Sequence, residues 1–126
     1  MNITIRAVDH KDQRYPTCGD WQFDAEGNLT ITVSKLNDWR HEMLLAVHEL
    51  YEAILCEHAG ITQELVDKFD MDFEAKRAST DDSEPGDHPD APYRLPHFRA
   101  TNVERQLADH LAVDWQEYET EINSLP

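Results

Sequence analysis

The sequence is short of cysteine, of basic residues and of long apolar runs. Its two cysteines, Cys18 and Cys56, form no CxxC pair. Two thiols do not make a disulfide framework, so both are read as reduced, in a cytosolic setting. The longest apolar stretch, Met43-Leu44-Leu45-Ala46-Val47, falls far below the roughly 20 residues that span a bilayer. The first residues, MNITIRAVDH, carry no apolar signal core, so secretion is not expected. Only 11 lysines and arginines stand against 26 acids, a net charge of −15. That charge repels nucleic-acid phosphates and anionic membranes, which excludes direct binding of either. It leaves two readings of the surface. One is a solvated exterior that resists aggregation. The other is an acidic binding protein that imitates nucleic acid and occupies the basic groove of a protein partner, for instance as an inhibitor of a host enzyme.

With 126 residues the chain is long enough to bury a core and is read as a single domain, 1–126. Ile3, Ile5 and Ala7 alternate, as in a half-buried strand. Trp21 and Phe23, a turn at AEGN, and then Leu29, Ile31 and Val33 read as a hairpin. A long helix follows, from about 38 to 59, with Asn37 as N-cap and Gly60 as its left-handed stop. Thr62 caps a second helix to about 76, with Leu65, Val66, Phe69 and Phe73 on one side. Residues 78–96 hold four of the six prolines and many acids, and form a long loop. A third helix runs from about 97–101 to about 119. Strands first and helices after predict an α+β fold: a small three-stranded antiparallel sheet packed against about three helices.

The first long helix carries the chemistry. His41, His48 and Glu52 are spaced i, i+7, i+11 and form one stripe, walled by Leu44 and Leu55 on one side and by Leu45 and Cys56 on the other. Met43, Val47, Leu50, Tyr51 and Ile54 complete a broad apolar arc with Leu44 and Leu55; Glu49, Ala46 and Ala53 fall on the narrow opposite side. Walls that are buried carry the stripe inward with them. A buried carboxylate without a partner costs several kcal/mol or takes up a proton, so Glu52 needs a cation, a donor network or a metal. His48 and Glu52, one turn apart, are spaced to share an ion. The alternative is a structural network in which Glu52 pairs with Arg99 or Arg105. On the third helix His97 and Glu104 are again i, i+7, on the face of Ala100, Leu107, Leu111, Trp115 and Tyr118. Glu104 has a competing role: Thr101-Asn102-Val103-Glu104 fits a capping box, whereas Pro96 in the first helical position would start the helix near His97.

His48-Glu49-Leu50-Tyr51-Glu52 is one residue from HExxH. On a long helix, after the strand LTITVS and before a helix with a Glu, it resembles the zincin metallopeptidases, nearest to the gluzincin branch. In size and composition the chain also resembles phage and prophage proteins. The zincin resemblance implies His48 and Glu52 as ligands, His97 or Glu104 completing the set, and Glu49 as the general base; the shared stripe adds His41 as an outer or alternative ligand. The resemblance implies a divalent cofactor, zinc first, with manganese or iron suited by the Glu that replaces the second His.

Overall fold

The structure, a computed structural model, describes residues 1–126. Three strands, β1 (Ile3–Val8), β2 (Gly19–Phe23) and β3 (Leu29–Ser34), are followed by four helices: α1 (Trp39–Ala59), α2 (Gln63–Lys76), α3 (Arg94–His110) and α4 (Trp115–Asn123). The fold is α+β, as the order of patterns predicts. No helix is long and apolar enough to cross a membrane.

The hairpin forms as expected, with Trp21 opposite Ile31 and Phe23 opposite Leu29. Asp24 closes its turn by accepting the backbone N–H of Glu26 and of Asn28, and Gly27 supplies the positive φ of 80°. The sheet, however, is mixed rather than antiparallel. β3 lies in the middle, and β1 pairs with it in parallel. The ten-residue link 9–18 carries the chain past the end of the sheet, so β2 enters on the far side of β3 and β1 runs the same way as β3. The half-buried reading of β1 also fails. Both faces of β1 are open to solvent, Ile3 and Ile5 included, because β1 is an edge strand with no helix packed on it.

α1 packs against β2, β3 and α3. Asp38, not Asn37, caps it by accepting the N–H of Arg40, and Gly60 ends it at φ 73°. Its buried face is not the apolar arc. Leu44 and Leu45 are buried, but so are Ala46, Ala53 and Cys56, while Met43, Tyr51 and Ile54 are exposed. The small residues let α1 pack tightly on this side. α2 begins at Thr62 as expected, and buries Val66 and Asp70 while leaving Leu65 exposed.

The third helical segment is two helices. α3 starts at Arg94, so the loop is shorter than 78–96 and Pro96 sits in the first helical turn, where a missing N–H costs nothing. Thr101 is mid-helix, and its hydroxyl donates to the carbonyl of His97, so no capping box forms. The chain breaks after His110: Ala112 takes φ 53°, and Asp114 caps α4 by accepting the N–H of Glu117.

Candidate metal centre

α1 and α3 bring three donors into the interior. His48 and Glu52 come from successive turns of α1, and His97 from the first turn of α3; their exposures are 6%, 4% and 5%. His48 Nε2 lies 3.2 Å from Glu52 Oε2 and 3.2 Å from His97 Nδ1; His97 Nδ1 lies 3.0 Å from Glu52 Oε2. The three atoms form a nearly equilateral triangle.

Protons satisfy such a triangle poorly. One carboxylate oxygen faces two ring nitrogens, and those nitrogens face each other; if both carry protons, the two N–H groups collide. A cation satisfies all three at once. Donors about 2.1 Å from one ion lie about 3.0 Å apart at a right angle and about 3.4 Å apart in a tetrahedron, and the observed edges fall in that range. The set is two imidazoles and one carboxylate, a composition used by catalytic zinc sites and by non-haem iron sites with open positions.

The outer edges of the donors are held too. His48 Nδ1 lies 2.8 Å from Glu104 Oε1, and the Tyr118 hydroxyl donates to Glu104 Oε2 at 2.5 Å. Glu52 Oε1 accepts the indole N–H of Trp21 at 3.0 Å. A carboxylate behind a ligating imidazole fixes its tautomer and raises its basicity. Glu104 thus meets His48 at the ring nitrogen turned away from the triangle and stands behind that ring, outside the group of three donors.

The surrounding carboxylates set the charge state of both rings. Burial would push His48 down, yet Glu104 and Glu52 more than offset it and hold the ring well above its usual value. Burial would raise Glu52, but His48 and His97 bring it to about 2. His97, lowered by burial and raised more strongly by Glu52 and Glu84, reaches about 10. The carboxylates thus favour positive charge on both rings, although their facing nitrogens lie only 3.2 Å apart. No lysine or arginine pairs with Glu52 or Glu104, and Arg105 instead lies over the Trp115 ring at 4.3 Å.

Glu49 lines the same cavity, about 220 Å³ in volume, with His48, Glu52, His97, Glu84 and Cys18. Its carboxylate rests on Gly19, where a Cβ would stand only 2.6 Å from Oε1. Burial and then Glu52 push it well above the usual carboxylate range. His41 lies elsewhere: its Nδ1 is 2.6 Å from Glu121 Oε1, so it fastens α4 to α1 and does not join the donors.

The sequence reading missed Trp21, Tyr118 and Glu84. It also missed Asp70 on α2, buried and accepting the hydroxyls of Tyr15 at 3.0 Å and Tyr93 at 2.5 Å. Tyr93 in turn packs edge-on to His97, with ring centroids 6.1 Å apart. Burial lifts Asp70 from 3.8 to about 7. Between those values the folded chain binds more protons than the unfolded one, so stability is greatest below the lower value and falls as pH rises through the upper. Urea unfolding from about pH 4 to about pH 8 should show a loss of stability to which Asp70 contributes on the order of a few kcal/mol, so the slope should be shallower in Asp70→Asn, with the raised Glu49, His48 and His97 supplying the remainder. Equal pH slopes for the two proteins would refute this.

No protein-family model, curated protein or solved structure matches this chain.

Proposed function

We propose that this chain is a small zincin-like metal-binding protein, its ion held by His48, Glu52 and His97, and that it acts as a metal-dependent hydrolase. The supporting observation is the triangle of buried donors from two helices, with edges of 3.0–3.2 Å and a carboxylate behind His48. The donor set has the composition of the gluzincin set with its members exchanged. The carboxylate stands on the first helix, where the second His is usual, and the second imidazole comes from the later helix. With one carboxylate in the set, the charge on the ion matches that of a catalytic zinc site rather than a more anionic one. Zinc is the first choice; manganese and iron(II) fit the same donors.

When bound, the ion supplies Lewis-acid activation of water or of a carbonyl. The chain's own residues do the rest. Glu104 and Tyr118 lock the His48 ring, and Trp21 steadies Glu52 in the orientation that keeps Oε2 on the donor triangle. Glu49, with its raised affinity for protons, accepts one at its carboxylate and returns it to a leaving group.

Protein purified without a polyhistidine tag should contain bound divalent metal, measured by elemental analysis, and should cleave a peptide or ester panel. Glu49→Gln should retain the metal and lose at least about a hundredfold in rate. Metal-free protein that takes up no zinc, manganese or iron counts against the reading. Metal-loaded protein whose activity survives Glu49→Gln removes Glu49 from the mechanism.

A further inference from the structure

The segment Glu84-Pro85-Gly86-Asp87 packs its Gly86 against the His97 ring and brings the Glu84 and Asp87 carboxylates to the ring's outer edge. Pro85–Asp87 is a short 3₁₀ turn. At about three residues per turn it brings Glu84 and Asp87 to the same side. Gly86 permits the close approach: a Cβ there would stand 2.4 Å from His97 Cγ and 2.5 Å from Nδ1. His97 Nε2 is buried and makes no hydrogen bond. Yet Glu84 Oε2 lies 2.9 Å from it and Asp87 Oδ1 3.3 Å from it. The oxygens are at contact distance but off the line of the ring N–H.

From this geometry we infer that His97 Nε2, Glu84 and Asp87 form a second divalent-cation site, on the opposite edge of the imidazole from the Nδ1 that faces His48 and Glu52. The two distances to Nε2, 2.9 and 3.3 Å, are close to those between donors sharing an ion, about 3.0–3.4 Å, and the missing alignment argues against a simple hydrogen bond. All three donor atoms lie within 4.8 Å of one another. The two carboxylates are largely open to water, with side chains 57% and 66% exposed, while the nitrogen is dry. That combination suits an ion that keeps part of its hydration, such as manganese or zinc. The ion takes the place of the Nε2 proton, which leaves to solvent. If both positions fill, His97 gives up both ring protons to solvent and bridges the two ions as an imidazolate. The outer site uses the other ring nitrogen and two further residues, so it stands or falls separately from the proposed inner one.

The test is metal stoichiometry on the full untagged chain, by calorimetric titration with zinc and with manganese and by elemental analysis after dialysis. The wild type should bind two equivalents. The exposed pair of changes Glu84→Gln and Asp87→Asn should leave one, and His48→Ala should leave the other. Two equivalents in both the wild type and the Glu84/Asp87 variant would overturn the outer site. So would a single wild-type equivalent that survives in that variant and is lost with His48→Ala, and this result leaves the inner reading intact. A single equivalent lost with Glu84→Gln/Asp87→Asn and kept with His48→Ala upholds the outer site and sinks the inner one. No uptake at all sinks both. Because Glu84 and Asp87 are on the surface, their variant should fold whatever happens to His48→Ala, and a single wild-type equivalent kept in that variant overturns the outer site whether or not His48→Ala folds.

Discussion

Zinc at a thousand times its dissociation constant should raise the thermal midpoint of this chain by roughly 15 °C. The reasoning is mass action. An ion that binds the folded state and not the unfolded one stabilises by about 4 kcal/mol at that excess, and a chain of this length shifts by roughly 4 °C per kcal/mol. The donors on α1 and α3 are already within 3.2 Å of one another, so little ordering remains to be done on binding. Scanning calorimetry with zinc and with chelator measures the shift. The Glu84→Gln/Asp87→Asn background isolates the inner ion, and in that background His48→Ala should abolish the effect. A wild-type midpoint that ignores zinc, manganese and iron alike would sink the inner site.

Glu52→Ala in the presence of chelator should cost about 3–5 kcal/mol, because removing one partner of a buried charge pair leaves the others uncompensated. One residue here has three dependants. The Trp21 N–H loses its acceptor, and His48 and His97 lose the anion that lets their nitrogens sit 3.2 Å apart. Urea unfolding gives the number. Glu57→Ala, on the exposed side of the same helix, is the control and should stay within about 0.5 kcal/mol. If Glu52→Ala cost no more than the control, the cluster would be solvated in practice and its geometry uninformative.

The stripe of His48 and Glu52 was legible because a polar row between apolar walls goes wherever the walls go. The wider apolar arc was not, because hydrophobicity alone ranks Met43, Tyr51 and Ile54 above Ala46 and Ala53. The tightly packed side of α1 buries the alanines instead. For Glu104 the sequence gives the burial but not the role: helical periodicity places it on the inward face with His97, yet nothing in the spacing says which nitrogen of His48 it meets. His41 shares the stripe with His48, but at i+7 it is two turns away, far enough for Glu121 of α4 to claim it. The division of α3 from α4 was missed in favour of one continuous helix, although a local signal existed. Asp114-Trp115-Gln116-Glu117 is itself a capping pattern, and Asp114 does accept the Glu117 N–H. Trp21, Tyr118 and Glu84 carry no local signal, since each acts through a contact between segments distant in the chain. β1 reads as half-buried because alternation marks one apolar face, while only topology decides whether anything covers it.

Trp21 has a consequence of its own. Of the three tryptophans, Trp39 is 65% exposed and Trp115 lies under the Arg105 guanidinium, while Trp21 alone is buried with its N–H on Glu52. An ion that draws charge from that carboxylate changes the field along the indole. The emission of this one fluorophore, isolated by replacing the other two with Phe, becomes a native optical gauge of occupancy that needs no label.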